Sequence, residues 1–244
     1  MAAVMNRLRS FLLALPTCIG LGMPVLAADA PIDSMAQRMQ ACAACHGRDG
    51  RAASDGYYPR IAGKPPQYLF NQLVNFRERR RGYAPMTHMV KHLSDDYLRE
   101  IAAYFAALEL PHAPPRPGAT TPQGLALGGE LVMRGDKARG IPACTSCHGQ
   151  AMTGVLPDVP GLVGLPRDYV NAQLGAWQIG LRSAPAPDCM ARVVARLQPQ
   201  DIAAVSMWLA SQPMPQAAGA LPQPPAGASA PLPCGGLTEP DTQR

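Results

Sequence analysis

Two six-residue stretches hold the side chains best suited to redox chemistry: Cys42-Ala43-Ala44-Cys45-His46-Gly47 and Cys144-Thr145-Ser146-Cys147-His148-Gly149. In a Cys-x-x-Cys-His run, two thiols attach covalently to the vinyl groups of one haem while the adjacent imidazole turns onto the iron. The repeat therefore predicts two haem c groups, attached at Cys42, Cys45, Cys144 and Cys147, with His46 and His148 as axial ligands. Zinc knuckles and thioredoxin-type redox pairs use similar spacing. Against zinc, each pair is followed at once by histidine, the chain has no further Cys-x-x-Cys pair, and the copies lie 102 residues apart.

What fills the remaining axial position separates carriers from enzymes. Methionine gives a six-coordinate iron with a raised potential, whereas an open site binds small oxidants or substrate. Met86, after Pro85, lies in a predicted loop 40 residues beyond His46, and Met190 lies at the matching place 42 residues beyond His148. Both are expected as iron ligands. Met89 aligns with Val193 and reads as a core side chain; Met152 and Met207 have no methionine counterparts and read as packing. His88 and His92 align with Arg192 and Arg196 and read as surface residues. Cys189 is a rival thiolate ligand for the second iron. Once the expected N-terminal leader takes Cys18 with it and haem attachment uses four cysteines, Cys189 and Cys234 are left over, so a disulfide and free or intermolecular thiols stand beside that reading. No catalytic acid, base or nucleophile stands out, which favours an electron carrier over an enzyme.

The elements that must position these residues recur in both halves. Pro59-Arg60-Ile61-Ala62-Gly63 matches Pro160-Gly161-Leu162-Val163-Gly164, and Tyr68 with Gln72-Leu73 matches Tyr169 with Gln173-Leu174. These are tandem copies of one fold. Helical spacing of Leu98, Ile101, Phe105 and Leu108 after the N-cap Ser94 matches Ile202, Val205 and Leu209 after Pro199. Both helices are expected to end against proline, at Pro111 and Pro213. A second helix per copy is predicted from Pro66 to Arg79 and from Pro166 to Ile179. Strand alternation is nearly absent, so the fold class is all-α. Tyr68, Tyr169, Trp177 and Phe76 read as haem-wall packing, Arg81 and Arg182 as candidate propionate partners, and Arg77, Arg79, Arg80 and Arg81 together as a solvated helix face.

Residues 1–28 join Arg7 and Arg9 to a short apolar run ending in alanines, which reads as a secretory signal peptide. A retained anchor is the other reading, although Pro16, Gly20, Gly22 and Pro24 interrupt the run. Domains are expected at 29–110 and 124–212, joined by a stiff Pro-rich linker at 111–123 and followed by a Pro/Ala-rich tail at 213–244. Without the leader, basic side chains fall from 22 to 20 against 17 acidic, a balance that gives no support to nucleic-acid binding. Asp29 to Gly118 carries 12 basic and 9 acidic residues, while the rest is balanced at 8 each.

Cys-Ala-Ala-Cys-His-Gly-x-Asp-Gly at Cys42 to Gly50, Tyr58-Pro59-Arg60-Ile61-Ala62-Gly63, Tyr68 with Gln72-Leu73, the methionine before Leu93-Ser94, and Ile101-Ala102-Ala103-Tyr104 together resemble the diheme cytochrome c4 family, from about Met35 to Gln212. The resemblance implies two class I cytochrome c domains related by pseudo-twofold symmetry. It also implies His/Met haems near the domain interface and a periplasmic location, in solution or peripherally on the outer face of the inner membrane. Implied partners are redox proteins: a terminal oxidase, a bc-type complex or a periplasmic dehydrogenase. Cys189, the few glycines after His148 and the Cys234-bearing tail depart from the pattern. They leave room for a dehydrogenase subunit, or for a diheme enzyme such as a thiosulfate dehydrogenase.

Overall fold

A computed structural model describes residues 33–52, 56–115, 118–216, 219–222 and 232–237; the expected leader lies outside them. Helices dominate. In the first half come α1 (Met35–Arg38), α2 (Gln40–His46), α3 (Pro66–Arg77), α4 (Ala84–Val90) and α5 (Asp95–Ala106), with a 3₁₀ turn at Arg48–Gly50. The second half has α6 (Pro122–Met133), α7 (Thr145–His148), the two-residue antiparallel strands β1 (Gly154–Val155) and β2 (Val159–Pro160), then α8 (Arg167–Gln178), α9 (Cys189–Val194) and α10 (Pro199–Ser211). Among the described residues no helix is long and apolar enough to cross a membrane.

Local chemistry starts and stops these helices. Ser94 accepts a hydrogen bond from the Tyr97 N–H, and Asp95 and Asp96 sit where the helix dipole favours negative charge. One face of α5 then buries Leu98, Ile101 and Phe105, as the spacing predicts. The helix ends at Ala106, well before Pro111, because Ala107 already caps it by donating to the Ala103 and Phe105 carbonyls. The counterpart α10 buries Ile202, Val205 and Leu209 and runs to Ser211, next to Pro213.

Each half has its own core. Leu69, Phe70, Phe76, Val90, Leu98, Ile101 and Phe105 cluster in the first, and Leu131, Val132, Ile141, Met152, Val170, Ile202, Val205 and Leu209 in the second. Met152 and Met207 are buried as expected, but Met89 is 47% exposed, because α4 turns Val90, not Met89, toward the core. Helix α6 was not legible in the sequence. Its glycines, which lower helix propensity, allow close approach to α10: a Cβ on Gly128 would lie 2.2 Å from the Ala204 carbonyl oxygen.

The halves meet across a pseudo-twofold seam within the compact unit Ser34–Arg244. Arg81 and Arg182 pair as an isolated antiparallel bridge, flanked by hydrogen bonds from Gly82 N–H to the Leu181 carbonyl and from Ser183 N–H to the Arg80 carbonyl. The tail also reaches back. Leu221 exchanges backbone bonds with Gly154 and Leu156, Cys234 is disulfide-bonded to Cys189, and Asn71 of α3 donates to the Gly236 carbonyl at 2.9 Å.

Candidate haem centres

In the first half, α2 carries Cys42, Cys45 and His46 at i, i+3 and i+4, so all three share one helix face. The same spacing at Cys144, Cys147 and His148 spans the short α7. Gly47 and Gly149 follow at φ of 74° and 81°, turning the chain sharply after each histidine. His46 and His148 are buried, and each ring is fixed through Nδ1, which lies 2.9 Å from the Pro59 carbonyl oxygen and 2.8 Å from that of Pro160. With Nδ1–H donating to a carbonyl, the lone pair sits on Nε2, the tautomer and orientation that suit a metal ligand. Pro59 and Pro160 were visible in the sequence only as repeat markers. Burial lowers both histidine pKa values, and the backbone bonds oppose it only in part. Both rings are thus kept neutral.

The four motif cysteines are free thiols in a chain that forms a disulfide elsewhere. Burial, then the neighbouring thiol, raises Cys42 and pushes Cys144 up to about 11. As unpaired thiols beside a buried neutral imidazole, they fit covalent haem attachment. Met86 and Met190 lie in the first turns of α4 and α9, not in loops, and both are half-buried. The N-cap of α9 is Asp188, which accepts from the Ala191 N–H and from Trp177 Nε1, while Thr87 of α4 donates to the Phe76 carbonyl. These bonds tie each methionine helix to the helix before it. Cys189 is engaged by Cys234, so its thiolate is not available as a ligand. His88 and His92 are exposed.

The arginine cluster divides. Arg77 pairs with Asp95 and Glu78, and Arg80 with Glu78, at the surface. Arg81 does not lie on a solvated face: it is buried with Arg182 in the seam. Arg81 donates to Gln72 Oε1 (3.1 Å), Tyr169 Oη (2.8 Å) and Gln173 Oε1, and Arg182 donates to Gln173 Oε1 (2.8 Å) and Gln72 Oε1 (3.1 Å). Each guanidinium also covers an aromatic ring of its own half, Phe76 or Trp177. So Tyr169, Phe76 and Trp177 serve the seam. Burial, with Arg81 beside it, brings Arg182 down to about 10, so it stays charged at neutral pH. Neither guanidinium meets a carboxylate among the described residues.

Residues 31–105 match the family model described as cytochrome c oxidase, cbb3-type, subunit III. The "thiosulfate dehydrogenase electron acceptor" of Thiomonas intermedia (strain K12) is 40% identical over 71% of this chain and 79% of its own length. A cytochrome c4 of Thiocapsa roseopersicina is 35% identical over 69% of this chain and 85% of its own. The chain belongs to the cytochrome c4 family. The crystal structure of reduced recombinant cytochrome c4 from Pseudomonas stutzeri superposes with a TM-score of 0.62 at 31% identity, covering 72% of this chain and 95% of that one. As a cytochrome c4, the chain comprises two tandem class I cytochrome c domains, carries two haem c groups and relays electrons.

Proposed function

We propose that this cytochrome c4 works in the periplasm, passing single electrons from a respiratory donor to a terminal oxidase or another acceptor. Cys42 and Cys45 would hold the first haem and Cys144 and Cys147 the second, with His46 and Met86 on one iron and His148 and Met190 on the other. One observation carries this reading: both motif histidines are buried, neutral and fixed through Nδ1 by a proline carbonyl at matching places in the two repeats. When bound, the haems supply reversible one-electron chemistry. The protein's part is positional. The two histidine tautomers are set in advance, the paired cores exclude water, and the rigid Arg81–Gln72–Gln173–Arg182 seam fixes the distance between the domains. Arg81 and Arg182, charged, buried and meeting no carboxylate among the described residues, suit the haem propionates as counter-ions.

The test is absorption and magnetic circular dichroism of the oxidised holoprotein, with carbon monoxide added after reduction. Two low-spin haems, both showing the methionine-to-iron charge-transfer band and neither taking carbon monoxide, are expected. A haem that lacks the band or binds the gas would remove Met86 or Met190 from its role and bring forward a haem-enzyme reading.

A second reading narrows the donor. The 40% identity to a thiosulfate dehydrogenase electron acceptor favours a periplasmic thiosulfate dehydrogenase as the source of electrons. Mixing the oxidised holoprotein with that enzyme and thiosulfate should reduce both haems; no reduction would leave the general carrier role in place and discard this donor.

A further inference from the structure

The two methionine helices are held in place differently. In the first half Thr87 Oγ1, one residue after Met86, donates to the Phe76 carbonyl of α3 at 3.0 Å. The aligned residue of α9 is Ala191, which has no hydroxyl, and the residue before Met190 is Cys189, where α4 has Pro85. Cys189 opens α9 and is disulfide-bonded to Cys234, 45 residues further on. The tail beside Cys234 is itself fixed. Gly235 N–H donates to the Pro187 carbonyl at 2.9 Å, and a Cβ on Gly235 would overlap the Ala186 carbonyl, so the tail backbone lies flush against the chain entering α9. Asn71 of α3 donates to the Gly236 carbonyl at 2.9 Å and accepts from Gln67 Nε2 at 3.0 Å. The start of α9 is therefore bound, through the disulfide and the tail, to a helix of the first domain.

We propose that the Cys189–Cys234 disulfide is a positioning device for Met190: it clamps the first turn of α9 to the tail and, through Asn71, to α3, and so slows the departure of the Met190 thioether from the second iron. A helix of six residues is too short to be held by its own hydrogen bonds, and depends on what its ends are tied to. For Met190 to swing away, Cys189 must move with it, and the disulfide then pulls Cys234 against the Gly235–Pro187 and Asn71–Gly236 bonds. A disulfide acts by removing conformations from the segments that it joins. Asp188, which caps α9 through the Ala191 N–H, is the non-covalent part of the same clamp. The proposal rests on Met190 as a ligand of the second iron.

Exchange of the methionines for imidazole in the oxidised full-length holoprotein tests this. At saturating imidazole the charge-transfer band decays at the rate at which the thioether leaves the iron, and the phase missing from Met190→Ala is that of the second haem. In Cys189→Ala/Cys234→Ala that phase should be about tenfold faster, a part of the constraint that a disulfide closing a loop of this length imposes, with the first-haem phase unchanged. Should the double variant not fold, the bond is opened in the folded wild-type protein. A phosphine becomes its oxide, water supplies the oxygen and the two protons, and the two sulfurs become thiols; iodoacetamide then caps them and ferricyanide reoxidises the irons. The same acceleration, confined to the second haem, is expected. Unchanged rates, or both phases faster by the same factor, overturn the positioning role. Failure of the ligand assignment is read separately, from the spectrum before any exchange begins: a Met190→Ala protein would then keep both charge-transfer bands.

Discussion

His46 and His148 illustrate how far one side chain depends on its neighbours. The Cys-x-x-Cys-His spacing says that an imidazole is available, and the proline carbonyls at 2.9 and 2.8 Å engage Nδ1 and leave Nε2 as the nitrogen that could bind a metal. Met86 is the residue proposed to share the first iron with His46. Met86→Ala should abolish the methionine charge-transfer band of one haem only and lower that haem's potential, read by magnetic circular dichroism and redox titration. His112, between α5 and α6, carries a pH dependence of its own. Burial, then Arg60 and Lys64, lowers its pKa from the ordinary 6.5 to about 4. Between those values the unfolded chain binds a proton that the folded one does not, so stability should fall as pH drops from about 6.5 toward 4 and level off below. His112→Gln should flatten that part of the profile of melting temperature against pH.

At the scale of elements, α6 and α10 show sequence and packing in opposition. Three glycines at 124, 128 and 129 argue against a helix by propensity, yet Gly128 lies against the α10 backbone at Ala204, while Gly124 and Gly129 lie against the side chains of Met207 and Trp208. Gly128→Ala would gain intrinsic helix propensity and still destabilise the protein, by about 1–3 kcal/mol, because its methyl meets the Ala204 carbonyl, which cannot move aside. A melting temperature equal to or above wild type would contradict this account. Helices α3, α5, α8 and α10, by contrast, were legible to within a few residues, since their apolar spacing and proline or serine starts are local signals. The loops expected at Met86 and Met190 are instead the first turns of α4 and α9, because six or seven residues give too short a window for periodicity.

For the whole molecule, the seam is the decisive structure. Gln72 Oε1 accepts from both Arg81 and Arg182, so one amide serves both domains. Gln72→Ala should cost about 2 kcal/mol, as expected when buried charged donors lose an acceptor, and calorimetry should show the two domains beginning to melt apart. A single unshifted transition would mean that the tail and linker, not the seam, hold the pair together.

The sequence by itself determined the two haem motifs, the tandem repeat, the all-α class and the main helices, because each rests on spacing within a few residues or on comparison of the chain with itself. Only the tertiary structure decided that Arg81 is a buried partner of Arg182 and not a surface charge, that Cys189 is engaged by Cys234, and that Met89 faces solvent. All three depend on contacts between residues distant along the chain or on which way a short helix turns. Local spacing carries no information about either.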